Sequence, residues 1–246
     1  MKKANVTVLI PVYNESKTIA KIIETMKSSQ YINEIICIDD ASTDSTGEIL
    51  KKIPNIEAIT LKKNQGKASA IGKGIRKAKG DIILMIDGDL IGLNVGHVEQ
   101  LITPLLQNDY DYSIGWILGG FVNSLTKPLT GERAYFKRDL TPLLDKMVNM
   151  GYGLELFLNY HFKEKKGKHV ELKNMRQPFK EEKHTFGTAV RLNLHALADI
   201  TSIILKSSNP PNFFVNAYLP FYFKENSKKV GITRSTIKKI QEKFIA

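Results

Sequence analysis

Residues 81–89 read Asp81-Ile82-Ile83-Leu84-Met85-Ile86-Asp87-Gly88-Asp89, an apolar run that stops at two carboxylates separated by one glycine. So short a run without polar alternation predicts a strand buried on both faces, as in a parallel sheet covered by helices. Working outward, the expected strands are Val6–Val12, Glu34–Asp39, Ile56–Leu61, Asp81–Asp87 and Tyr110–Leu118, all of them central and buried. Amphipathic stretches between them predict helices over Ser16–Ser28, Ser45–Lys52, Lys67–Lys79 and Gly96–Leu106, the second capped by Asp44 with Glu48 in its first turn. The fold class is α/β, a Rossmann-like, mostly parallel central sheet flanked by helices.

In such sheets ligands gather beyond the carboxyl ends of the strands. Three of these ends are polar: Pro11-Val12-Tyr13-Asn14-Glu15, Asp39-Asp40-Ala41-Ser42 and Asp87-Gly88-Asp89. If the backbone stays extended, Asp87 and Asp89 direct both carboxylates to one side, and Gly88 leaves room for close approach. Two hard oxygen ligands with open positions suit Mg2+ or Mn2+ bridging a diphosphate, where the ion neutralises charge on a departing nucleotide. Taken alone, the three residues read equally well as an Asp-Gly turn. The two other polar strand ends favour the metal. Asn64-Gln65-Gly66-Lys67 opens a helix, so its N–H groups and the Lys67 ammonium suit a phosphate, or else form an ordinary helix start with a solvated lysine. A P-loop, a glycine-rich dinucleotide turn, an HExxH or cysteine-rich zinc site and a serine nucleophile elbow are all absent from the sequence.

A chain of 246 residues, 42% hydrophobic, can bury the core of one α/β domain or of two tightly joined lobes. Met1–Asn5 has no signal-peptide character, and the single cysteine, Cys37, sits in the apolar run Ile35–Ile38 as a buried thiol would, so the cytoplasm is the expected location. The net charge of +11 is uneven: residues 1–158 hold 19 Lys/Arg against 18 Asp/Glu, and residues 159–246 hold 17 against 7. This basic part is either a solvated surface or a face that meets phosphates of an anionic lipid or an acceptor. No nucleic-acid-binding signature accompanies it, so nucleic acid is not an expected partner. A helical pattern from His184 to Lys206 is broken by Arg191, Asn193, His195 and Asp199, which argues against a membrane span. The aromatic segment Phe213–Phe223 and the lysine-rich amphipathic stretch Ile232–Ala246 suit peripheral contact with the inner face of a membrane.

Taken together, Ile10-Pro11-Val12-Tyr13-Asn14-Glu15, Ile38-Asp39-Asp40-Ala41-Ser42-Thr43-Asp44, Asn64-Gln65-Gly66-Lys67 and Asp87-Gly88-Asp89 resemble, in order and spacing, the nucleotide-binding half of family-2 glycosyltransferases, which have the A-type glycosyltransferase fold. The resemblance implies that Pro11, Tyr13, Glu15 and Asp40 surround a uracil and ribose and that Lys67 assists the nucleotide. It also implies that Asp87 and Asp89, with Gly88 between them, form a metal-binding Asp-X-Asp motif. Lys127–Ala134 and Gly151–Glu155 look like blocks of glucosyl-3-phosphoglycerate synthase-like enzymes and of polyprenyl-phosphate sugar transferases. In inverting relatives a carboxylate at the Glu155 position accepts the acceptor's proton, although an acid at a helix start is also favoured by the helix dipole.

Two departures from that narrower group stand out. Its members carry a metal-ligating histidine before a basic-acidic run like Lys180-Glu181-Glu182-Lys183, where this chain has Asn174, Met175, Arg176 and Gln177; His184, after the run, is the substitute candidate. The phosphoglycerate enzymes also place an arginine where Ser113–Thr126 has no basic residue.

The resulting expectation is a hexosyltransferase that takes its sugar from a UDP-sugar, UDP-glucose by resemblance, and passes it to a phosphate-bearing or lipid-linked acceptor. Asp89 and Glu155 are the expected catalytic residues, Glu132 and Arg133 line the acceptor side, and Asp87, Asp89 and His184 hold the metal. Residues 1–120 form the nucleotide-sugar-binding half, 121–206 the acceptor-binding half of the same domain, and 207–246 a basic, aromatic extension. The competing readings are a soluble transferase for a small anionic acceptor and a catalytically silent nucleotide-sugar-binding or membrane-associated scaffold.

Overall fold

Strand β1, Val6–Val12, is the axis of the fold, because every residue in it except Pro11 is buried and it is paired on both sides. The structure is a computed structural model, and it describes residues 4–117 and 130–178, except for the side chain of Tyr152. The other strands are β2 Ile32–Asp39, β3 Glu57–Thr60, β4 Ile82–Met85, β5 Tyr112–Trp116, β6 Arg133–Phe136 and β7 Gly167–Glu171. They form one seven-stranded sheet in the order β3-β2-β1-β4-β6-β5-β7. Strands β1 to β4 are parallel, β7 is parallel to β5, and β6 is antiparallel to both of its neighbours.

Apolar side chains on both faces of β1 explain the two cores. Val6, Val8 and Ile10 pack with Ile19, Ile22 and Met26 of helix α1 (Ile19–Lys27) and with Val98 and Leu101 of α4 (Val95–Leu106). Leu9, on the opposite face, packs with Ala70, Ile71 and Ile75 of α3 (Lys67–Lys77) and with Phe157 of the helix Leu154–His161. Alternate residues therefore serve opposite cores, which is why the strand reads as continuously apolar. Between β2 and β3 lies α2 (Thr46–Lys52), whose N-cap is Ser45 rather than the expected Asp44; Asp44, one residue earlier, accepts from the Thr46 N–H at 2.9 Å.

Four further expectations are corrected. The third strand is not central: β3 is an edge, and its residues alternate between half-buried and exposed. Helix α1 starts at Ile19 rather than Ser16, because the Glu15 carbonyl accepts the Thr18 and Ile19 amides in a turn, and the Thr18 hydroxyl donates to the Gly88 carbonyl at 2.6 Å. The fourth strand ends at Met85, two residues short of Asp87. Strand β6 was not expected at all, and it brings residues beyond 130 between β4 and β5, so both halves of the chain share one sheet.

The Lys127–Leu129 block, the helical pattern 184–206 and the extension 207–246 lie outside the described residues. Among the described residues no helix is long and apolar enough to cross a membrane.

The β1–β4 pairing depends on Gly80, whose N–H donates to the Thr7 hydroxyl at 2.9 Å. A Cβ there would stand 2.6 Å from the Thr7 nitrogen and 2.9 Å from the Asn5 carbonyl oxygen, both backbone atoms that cannot give way cheaply. Gly80→Ala is expected to cost about 1–3 kcal/mol, read as a lower urea midpoint at unchanged slope.

Candidate active site

Three loops at the carboxyl ends of β1, β2 and β4 are tied to one another by short polar side chains. Asn14, in the left-handed region at φ 60°, accepts with its Oδ1 from the Thr43 N–H at 2.7 Å, while its own N–H donates to the Ser42 hydroxyl at 2.9 Å. The Glu15 N–H donates to the Thr46 hydroxyl at 2.9 Å. Gly88 closes the third side, since a Cβ on it would stand 2.6 Å from Val12 Cγ1 and 3.3 Å from the Pro11 carbonyl oxygen. Tyr13 projects from this rim and is 42% exposed.

Asp40 is buried and accepts the Gln65 N–H at 2.8 Å and the Gly66 N–H at 2.7 Å. It thereby fixes the entry to α3, where Gly66 takes the positive φ of 82° that a side chain would resist. Two of the loop amides expected to face a phosphate are thus already engaged.

Lys67, the next residue, is the hub of the site. Its Nζ lies 2.6 Å from Asp87 Oδ1 and 3.0 Å from Glu155 Oε1, joining the end of β4 to the first turn of the Leu154–His161 helix. Burial works against the charge of Lys67, but Asp87, Glu155 and Glu132 outweigh it and hold the ammonium protonated above the usual lysine range. Gly131 roofs the pair, and a Cβ there would collide with both Lys67 Nζ and the Asp87 carboxylate. Asp87 also accepts from Gln177 Nε2 at 3.1 Å, and that segment is held in place by an antiparallel bridge between Ile91 and Arg176.

The backbone condition placed on Asp87 and Asp89 is not met, because Gly88 and Asp89 form a turn rather than a continuation of the strand. Nor does the site hold a protein-made metal cage: among the described residues no three His, Cys, Asp or Glu side chains are arranged to hold an ion. His184 lies outside the described residues. What the site does offer a cation is charge. Asp87, Glu132 and Glu155 all act on the single ammonium of Lys67, and Glu132 Oε1 is buried without a hydrogen-bond donor. Such a hard-oxygen, under-neutralised cluster fits a divalent ion whose shell is completed by phosphate oxygens.

The two residues expected on the acceptor side behave differently. Glu132 is fully buried beside Asp87 and accepts from the Thr130 hydroxyl through Oε2. Arg133, only 1% exposed, donates from Nε to the Thr130 carbonyl at 2.6 Å and from Nη1 to Asn159 Oδ1 at 2.7 Å and the Tyr135 hydroxyl at 3.2 Å. Its guanidinium is therefore built into the core. Gln177, Gly131 and Asn159 were not foreseen as part of the site. Asn159 alone had a visible signal, as an amide one turn beyond Glu155 in the otherwise apolar run Leu156-Phe157-Leu158.

Residues 7–188 match the model of glycosyl transferase family 2. Among curated proteins, undecaprenyl-phosphate 4-deoxy-4-formamido-L-arabinose transferase from Proteus mirabilis is 39% identical over 94 residues, which are 35% of this chain and 29% of that relative. The chain thus spans less than a third of that relative's length. Protein RfbJ of Shigella flexneri is 32% identical over 112 residues, 45% of this chain and 84% of RfbJ. Among solved structures, glucosyl-3-phosphoglycerate synthase from Mycobacterium tuberculosis, crystallised with Mn2+, UDP-glucose and phosphoglyceric acid, superposes with a TM-score of 0.63 at 23% identity over 81% of this chain and 79% of that one.

Burial first, and then the Asp87 charge, push the Glu132 carboxyl from its ordinary 4.5 up to about 8. Between those values the unfolded chain releases the proton while the folded protein keeps it, so stability falls as pH rises across the window and is fully present only below it. Glu132→Gln should flatten that decline, which urea midpoints taken at about pH 5 and about pH 8 will show.

Proposed function

Because this chain belongs to glycosyl transferase family 2, we propose that it transfers a hexose from a UDP-sugar, with UDP-glucose the first donor to try, to a phosphate-bearing or lipid-linked acceptor. That it is a glycosyltransferase of the A-type fold follows from the family and from the sheet already described. The observation that carries the finer reading is the Lys67 bridge, which joins the carboxylate expected on the donor side, Asp87, to the carboxylate expected on the acceptor side, Glu155.

In this reading Pro11, Tyr13, Glu15 and Asp40 surround the nucleoside, with the exposed Tyr13 ring offered to the base and Asp40 holding the Gln65–Gly66 backbone in place. Lys67 presents its ammonium to the diphosphate. Asp87 and Asp89 would hold Mg2+ or Mn2+, and the bound ion supplies charge neutralisation to the departing nucleotide. Glu155 accepts the proton of the acceptor hydroxyl, and its buried position keeps competing water away. Glu132 borders the same space, its carboxyl neutral at physiological pH and so adding little repulsion to an anionic acceptor.

Support for a phosphate-bearing acceptor comes from the basic excess of residues 159–246, from the undecaprenyl-phosphate relative and from the phosphoglyceric acid bound by the structural neighbour. A lipid-linked acceptor would bring the chain to an anionic membrane surface.

Manganese-dependent hydrolysis of a panel of UDP-sugars tests the donor side. Asp89→Ala is expected to lower turnover of the preferred donor by ~100-fold or more while the protein stays folded, and turnover at the wild-type rate would refute the role given to the motif.

A further inference from the structure

Arg133 is a buried cation that the proposed chemistry does not use, and three of its hydrogen-bond partners sit on three different pieces of the site. The Thr130 carbonyl belongs to the loop that carries Gly131 and Glu132 over the Lys67–Asp87 pair, Tyr135 belongs to β6, and Asn159 belongs to the Leu154–His161 helix. A guanidinium suits this task because its donors project in a fixed planar fork, so each bond sets a direction as well as a distance. Asn159 is 1% exposed and stands one helical turn after Glu155, on the same helix face.

Among the described residues, the end of that helix where Glu155 projects lacks a side-chain cap. Its N-cap is Gly153, and the residues before it form a single 3-10 turn, Gly151–Gly153. Leu154, Phe157 and Leu158 bury its apolar face, but apolar packing tolerates small shifts along the axis that a hydrogen bond does not. We propose that Arg133 and Asn159 are positioning residues: their hydrogen bond locks the Leu154–His161 helix to β6 and so holds the Glu155 carboxylate at its 3.0 Å distance from Lys67. Neither residue touches the substrates. The inference rests on the role proposed above for Glu155.

The pair can be replaced by apolar side chains of similar size, Arg133→Met with Asn159→Leu, because removing both partners of a buried hydrogen bond together costs far less than removing one. Turnover of UDP-glucose with manganese, and urea unfolding, are measured for this double variant, for Asn159→Asp and for the wild type. Positioning predicts a kcat lower by ~10–100-fold at unchanged KM for the donor, in a protein that unfolds at the wild-type urea concentration. Asn159→Asp, which keeps the acceptor oxygen, should retain turnover, and the double change should add no further loss in a Glu155→Gln background. Turnover within about twofold of wild type in the folded double variant overturns the proposal. If UDP-glucose is not turned over, the donor reading fails and the preferred UDP-sugar of the panel takes its place; if Glu155→Gln is fully active, the role of Glu155 fails instead. The tether is then judged by the crystal structure of the double variant, where loss of the Lys67–Glu155 contact upholds it and retention overturns it. Should the double variant not fold, Asn159→Ala is read by the same criteria.

Discussion

The attraction between one ammonium and the carboxylates around it is what the candidate site depends on. Asp87 lies two residues beyond one strand, Glu132 precedes another, and Glu155 sits in the first turn of a helix, so nothing local in the chain brings them together. Like charges this close repel strongly in a partly buried setting. Lys67 reverses the sign of that interaction, with direct contacts to Asp87 and Glu155 and a longer-range influence on Glu132. Its own position is set by Asp40, which fixes the two residues before it through their backbone amides. The chain of cause thus runs from a strand end, through a loop, to a lysine that gathers acids from three elements.

This balance is incomplete, and that is chemically useful. Burial first, and then the nearby Asp87 charge, lead Glu132 to hold its proton to about pH 8. A divalent ion would meet the shortage of positive charge in another way. The cluster is therefore readable as a place where added positive charge is favoured.

Much of the sheet was legible because burial on both faces leaves a plain mark. Val6–Val12 and the Ile82–Met85 run have no polar alternation, and both proved to be central. The polar ends after β1, β2 and β4 also met as the parallel-sheet rule requires. Strand β6 escaped because it is four residues long and begins with a buried arginine, which a hydrophobicity pattern treats as surface. Arg133 itself was read as a cleft-facing cation for the same reason, since its partners Thr130, Tyr135 and Asn159 are polar groups distant in pattern and visible only in three dimensions. Gln177 touches Asp87 across some ninety positions of chain, and no spacing rule reaches that far. The Asp-Gly-Asp segment is a turn in its backbone, while its Asp87 side chain pairs with Lys67 in the acidic cluster.

The antiparallel strand β6 also sets the order in which the molecule can be assembled. Strands β1 to β4 pair only with one another on the β3 side of the sheet, so all their partners on that side are available once residue 85 is made. Strand β5 is made next, yet its path to the rest of the sheet runs through β6. It must wait for residues 133–136 before it and β7 can join. A ribosome therefore releases the parallel strands first and the residues that complete the β5–β7 edge late, around a strand whose first residue is the buried Arg133.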